Sequence, residues 1–146
     1  MRVLITGGGA FGSYLAKDLK GAGHAVTVMD QDPEAARELS ERQPDIEVVV
    51  GDACEPLLLE KAGILRADVV VAATSDDEDN LVIALLAHKE FEVPRVVARV
   101  NDPRNSWLFT DWWGVDHSLM APDTFLSVVE EQVATAPHHP NAASND

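Results

Sequence analysis

The stretch MRVLITGGGAFGSYLAKDLKGAGHAVTVMD, residues 1–30, decides how the rest of the chain is read. Val3-Leu4-Ile5 is a short apolar strand. Gly7 to Gly12 form a turn with G-x-G-x-x-G at Gly7, Gly9 and Gly12, and a helix follows from about Phe11 to Lys20. His24 to Met29 then alternate as a second strand that ends in Asp30, 18 residues beyond Gly12. A βαβ dinucleotide site places its ribose-gripping acid at about this distance, some 20 residues on. Gly7 permits the tight strand-to-helix turn. Gly9 lets a pyrophosphate lie against the backbone, and Gly12 lets the helix pack close to the strands. The first amides of that helix, at Ala10, Phe11 and Gly12, then face the phosphates with the positive end of the helix dipole behind them. Asp30 would accept from two ribose hydroxyls and repel a 2′-phosphate, which favours NAD or an adenine nucleotide over NADP.

Outward from that unit the pattern repeats. Asp32 caps a second helix with Pro33 in its first turn, running to about Arg42. Ile46 to Val50 are a third strand, followed by Gly51-Asp52-Ala53-Cys54 and a short helix ending at Gly63. Ala67 to Ala73 are a fourth strand, continuously apolar after Asp68 as a central parallel strand should be. Thr74 to Asn80 open an acidic helix start, with Ser75 or Asp76 as its cap. The helix continues through the apolar Leu81 to Leu86, a stretch broad enough to suggest burial against a second subunit. Arg95 to Val100 are a fifth strand. A helix from Asp102 to Gly114 holds Trp107, Leu108, Trp112 and Trp113, and Val115 to Leu119 form a sixth strand. A last helix begins at Ala121-Pro122-Asp123 and runs to about Ala134. Six strands alternating with six helices predict an α/β fold with a doubly wound parallel six-stranded sheet, Rossmann-like, in strand order 3-2-1-4-5-6. Residues 1–136 read as a single nucleotide-binding domain and 137–146 as a flexible tail. Ligand would lie at the carboxyl ends of strands 1 and 4, where the order reverses.

Composition narrows the function. With 146 residues the chain is the size of one domain, and 46% hydrophobic residues support a core. A formal net charge of −14 argues against nucleic acid and against direct lipid binding to an anionic membrane. The single cysteine, Cys54, excludes an internal disulfide and a cysteine metal frame. The absence of a signal peptide and of a membrane-length apolar run points to a cytoplasmic protein.

A set of residues beyond the glycine turn carries a resemblance. Asp30, Gly51-Asp52-Ala53, Ala62-Gly63-Ile64, Ala67-Asp68, Ala72-Ala73-Thr74, Asp77, Asn80-Leu81, Ala98-Arg99-Val100, Gly114-Val115-Asp116 and Ala121-Pro122-Asp123 resemble the nucleotide-binding lobe of RCK domains. These are also called KTN or TrkA-N domains and regulate potassium channels and transporters. The resemblance covers about residues 1 to 135. It implies a regulatory subunit, not an enzyme, that binds NAD(H) or AMP, ADP or ATP and forms a homodimer or higher ring. It also implies a membrane channel or transporter subunit as partner, reached peripherally at the inner face of the membrane. By position, Gly7, Gly9, Ala10, Phe11 and Gly12 would cradle phosphates. Asp30, with Gln31 and Asp32 beside it, would hold the adenosine ribose, and Asp52 and Ala53 would meet the adenine. Thr74 and Ser75 would lie by the phosphates or second ribose, and Arg99 would meet phosphate or a neighbouring subunit.

Plainer roles stand beside these: helix capping for Asp52, Thr74 and Ser75, an ion pair for Arg99, a small buried residue rather than a reactive thiol for Cys54, and a cap or brace of its own helix for Asn80. Ala10 stands where some relatives carry an arginine that reaches a terminal phosphate, which weakens ATP sensing by that route. Asp123 stands where some place a glutamate on a divalent cation; it is read here as a helix cap, His138 and His139 as tail residues, and no metal site is expected. The second lobe usual in the family does not follow, so the chain reads as an isolated lobe or a stand-alone subunit. The alternative is an NAD-dependent oxidoreductase or epimerase fragment. Against it, Tyr14 has Asp18 rather than lysine four residues on, and His24, His88 and His117 lie away from the carboxyl ends of strands 1 to 4. A redox-sensing repressor is disfavoured by the acidic balance.

Overall fold

A computed structural model describes residues 1–120, 129 and 132–137. The last helix expected from Ala121 falls largely outside these residues, as do Asp123, His138 and His139. Six strands, β1 (Arg2–Thr6), β2 (Ala25–Asp30), β3 (Glu47–Val50), β4 (Val69–Ala72), β5 (Arg95–Arg99) and β6 (His117–Leu119), form one all-parallel sheet in the order β3-β2-β1-β4-β5-β6. The helices are α1 (Ala10–Gly21), α2 (Pro33–Arg42), α3 (Pro56–Lys61) and α4 (Asp77–Leu85), the last continuing as a π turn over Leu86–Glu90. The expected Rossmann-like sheet is therefore the observed one.

Alternation along the strands divides the core between the two faces of the sheet. Val3 and Ile5 of β1 join Ala16, Val26, Val28, Leu39 and Val71 on one face. Leu4 joins Leu59, Ile64, Val70, Ile83, Val96 and Ala98 on the other. β1 pairs with β2 and β4 at once, with Val3 opposite both Val26 and Val69, and its Ile5 is fully buried. Ile5→Ala would cost about 2–5 kcal/mol. Local signals end the helices as expected. Asp32 Oδ1 accepts from the Glu34 amide at 3.0 Å, and Asp76, not Ser75, caps α4 by accepting from the Asp79 amide at 3.0 Å.

The segment between β5 and β6 departs from expectation. In place of one helix from Asp102 to Gly114 there are two 3-10 turns, Pro103–Leu108 and Asp111–Trp113. Phe109 between them is buried with Val115 against α4, so the chain bends inward there instead of continuing a helical spiral. Trp107 and Trp112 remain about three-quarters exposed, with Lys89 over the Trp112 ring at 5.2 Å.

Candidate functional site

The carboxyl ends of β1, β2, β4 and β5 enclose a cleft of about 210 Å³. Its first wall is the glycine bend. Gly7 has φ +103°, and a Cβ there would stand 2.6 Å from the Ala73 carbonyl oxygen; its amide donates to the Met29 carbonyl at 2.8 Å. A Cβ on Gly12 would fall 1.8 Å from the Gly7 carbonyl oxygen, so only glycine lets α1 start this close to the bend. Around Gly9, in contrast, nothing lies within 4 Å of where a Cβ would be. That open face sits at the end of α1, where Gly9 supplies no side-chain cap. The bend thus offers an uncapped helix start, a setting for anions.

Asp30 holds the second wall. Its Oδ2 accepts from the Gly8 amide at 2.7 Å and its Oδ1 from the Asp32 amide at 2.8 Å. The acid therefore fixes the bend to the end of β2 as well as facing the cleft. One lone pair on each oxygen is still open to a hydroxyl donor. Asp52 Oδ1 accepts from the Cys54 amide at 2.9 Å in a local turn; it does not cap α3 as the plainer reading had it, because Glu55 stands at that N-cap, and Asp52 lines the cleft with Ala53.

Opposite the bend, Arg99 stands with its guanidinium 5.3 Å from the Phe11 ring centroid. Its Nε is buried and has no hydrogen-bond partner among the described residues, nor does any carboxylate there pair with it. The structural ion pair considered from sequence is absent among those residues. Below the rim lies a buried polar group. Asn80 Oδ1 accepts from the Thr74 amide (2.9 Å) and hydroxyl (2.7 Å), and its Nδ2 donates to the carbonyls of Thr74 and Arg99, both at 3.0 Å. The buried Asp77 accepts from the amides of Asn101 (2.7 Å) and Asp102 (2.9 Å) and the side chains of Asn101 (3.1 Å) and Asn105 (2.9 Å). Burial pushes the Asp77 carboxyl up, but the donors from Asn105, Asn101 and Asp102 outweigh it and hold the group below the usual carboxylate range. The Cys54 thiol is pushed up to about 12, by burial first and then by Asp79 and Asp52. It is no nucleophile at neutral pH.

Eleven of the thirteen residues expected at the site line this one cleft: Gly7, Gly9, Phe11, Gly12, Asp30, Gln31, Asp52, Ala53, Thr74, Ser75 and Arg99. Ala10 and Asp32 stand outside its lining, Asp32 being occupied as the cap of α2. Thr6, Met29, Gly51, Ala73, Asp79 and Ile83 also line it and were not among the expected site residues. Asp79 sits five residues beyond Thr74 in a run of acids that reads as helix-start charge, so nothing in the local pattern singled it out. Among the described residues no cluster of His, Cys, Asp and Glu could hold a metal ion, and no helix is long and apolar enough to cross a membrane.

The family model for the TrkA-N domain matches residues 3–121. The chain belongs to the TrkA-N domain family. This TrkA-N chain is 47% identical over 133 residues to the Trk system potassium uptake protein TrkA of Mycobacterium tuberculosis. That match takes in 91% of the chain and 60% of the relative, so the chain spans about three-fifths of the relative's length. Among solved structures it superposes on the Kef CTD of Shewanella denitrificans in its AMP-bound form, at 26% identity and TM-score 0.77, over 99% of this chain and 87% of that one. It also superposes on the GsuK RCK domain, at 25% identity and TM-score 0.79, over 91% of this chain and 28% of that one. The expected membership of the RCK or TrkA-N family is thereby established.

Proposed function

We propose that this TrkA-N chain is the nucleotide-sensing lobe of a potassium uptake system, a regulatory subunit without catalysis of its own. The ligand is an adenine nucleotide, NAD(H) or AMP, ADP or ATP, laid along the cleft. The carrying observation is the opposition of an uncapped, amide-rich bend and an unpaired arginine across one cleft, with Asp30 at its side. Phosphate suits the bend and Arg99, and a ribose suits the remaining lone pairs of Asp30. Adenine would lie towards Asp52 and Ala53, with Thr74 and Ser75 beside the phosphates. The open space at Gly9 fits a phosphate group drawn close to the backbone.

AMP on the Kef relative and potassium uptake by the mycobacterial relative support this reading. In it, the protein works in the cytoplasm as a homodimer or larger ring, docked on a membrane channel or transporter subunit and changing that partner's state when nucleotide binds. Residues 1–136 form the sensing lobe.

Calorimetry with NAD, NADH, AMP, ADP and ATP tests the ligand, and a hydride-transfer assay tests the absence of chemistry. Micromolar binding without turnover is expected. Robust oxidation of a small alcohol would instead favour an oxidoreductase. Light scattering should give a mass at least twice 15.8 kDa; a monomer at high concentration would remove the dimer.

A further inference from the structure

Asn80 is fully buried in the first turns of α4, yet its side chain serves none of that helix. The orientation of its amide is fixed by its partners. The Thr74 amide can only donate and the carbonyls of Thr74 and Arg99 can only accept, so Oδ1 must face the first and Nδ2 the other two. Both lone pairs and both N–H groups are thus spent on two residues, one at the tip of β4 and one at the tip of β5. A residue that merely braced α4 would bond within α4. Asn101 repeats the tie from the β5 side, its Nδ2 donating to the Thr74 carbonyl at 3.0 Å, and Asp77 fixes Asn101 in turn. Arg99 is therefore anchored at its main chain by Asn80, steadied at its head by Phe11, and left with a buried, unpartnered Nε. An unmet N–H of this kind costs free energy until an acceptor arrives.

We propose that Asn80 is a positioning residue for the phosphate side of the cleft, setting Thr74 and Arg99 against the glycine bend without touching the ligand. The proposal rests on the nucleotide reading above. Adenosine and AMP separate the two, because they differ only in the phosphate, and the ratio of their Kd values reports that side alone. Calorimetry on the parent chain should show AMP binding more tightly than adenosine. Asn80→Asp keeps the size but sets a carboxylate oxygen against two carbonyls. It should cut the AMP advantage about tenfold, the equivalent of one hydrogen bond to a charged group, with adenosine within about twofold of the parent.

Circular dichroism checks the fold. If Asn80→Asp does not fold, Asn101→Ala decides, with an expected loss of about threefold in the same ratio, the size of one neutral hydrogen bond. Asn105→Ala, which breaks only the distant bond to Asp77, should keep the parent ratio. An unchanged ratio in the deciding variant overturns the proposal, as does an equal weakening of adenosine and AMP, which would mark a merely structural role. A parent that binds adenosine no worse than AMP overturns it too. If the parent binds neither compound nor NAD, NADH, ADP or ATP, the nucleotide reading itself fails and takes this inference with it; if it binds one of those but not AMP, this inference alone is overturned.

Discussion

The two halves of the sheet face each other across one cleft but are held together by different physics. From β1 to β3, residues 2–50, the chain is a regular strand-helix-strand-helix-strand run, closed by apolar packing and by glycines that let backbones touch. From β4 to β6, residues 69–119, regularity gives way. A π turn follows α4, 3-10 turns replace a helix, and a polar network built on the buried Asp77 and Asn80, with the half-buried Asn101, holds the strand tips. The first half presents main-chain amides, which need only the right backbone path. The second half presents Arg99, whose long side chain has to be aimed, and aiming it takes fixed partners. In the proposed function, phosphate would meet a wall of rigid backbone on one side and an aimed side chain on the other.

The sharpest way to break this contrast is Gly12→Ala. The added methyl meets the Gly7 carbonyl, and backbone cannot step aside as a side chain would. A loss of about 3 kcal/mol or more is expected in urea unfolding, together with loss of nucleotide binding. A tolerated alanine would show that the first half is not the rigid wall.

Asp77→Asn tests the second half. It puts an amide group against donors that now share a carboxylate, at a cost of about 2 kcal/mol at pH 7. The sign of the pH dependence follows from the depressed carboxyl. Its contribution is complete above the unfolded value of about 4 and is lost as pH falls through the lower folded value. The gap between parent and variant should therefore be full at neutral pH and close below about pH 4. A gap that widens in acid would contradict the network.

Asp30→Ala spans both roles of that acid and should weaken an adenine nucleotide by about 1–3 kcal/mol in calorimetry. Parent-like affinity would remove Asp30 from the ligand. The last test concerns Cys54, which packs half-buried against the core. With its thiol pushed up to about 12, it should react with a disulfide reagent at pH 8 at least about a hundredfold more slowly in the folded protein than in urea. Equal rates would mean that the acid-lined pocket around it is open.

Much of this was legible before any coordinates. Gly7, Gly9, Gly12 and Asp30 lie within one βαβ unit, and their spacing follows from the lengths of one strand, one helix and the next strand. Apolar patterning likewise marked the strands, and their alternation with helices joined by right-handed crossovers gave the order in which they pair. The expected helix over 102–114 failed because tryptophans and leucine at roughly helical spacing outweighed Phe109, whose burial could be known only once α4 lay beneath it. Asp79 and Ile83 were passed over because their sequence neighbours explain them as helix-start charge and core.

What the sequence by itself determined is the parallel sheet, the glycine bend and the acid at its side, because each depends on patterns closed within about thirty residues. Only the tertiary structure decided that Asn80 serves Thr74 and Arg99, that Asp77 holds Asn101 and Asn105, and that Arg99 is left unpaired. Those contacts are single hydrogen bonds between residues of separate elements. A hydrogen bond depends on direction and on distances of about 3 Å. No periodicity encodes such a meeting; it exists only once both strands are in place.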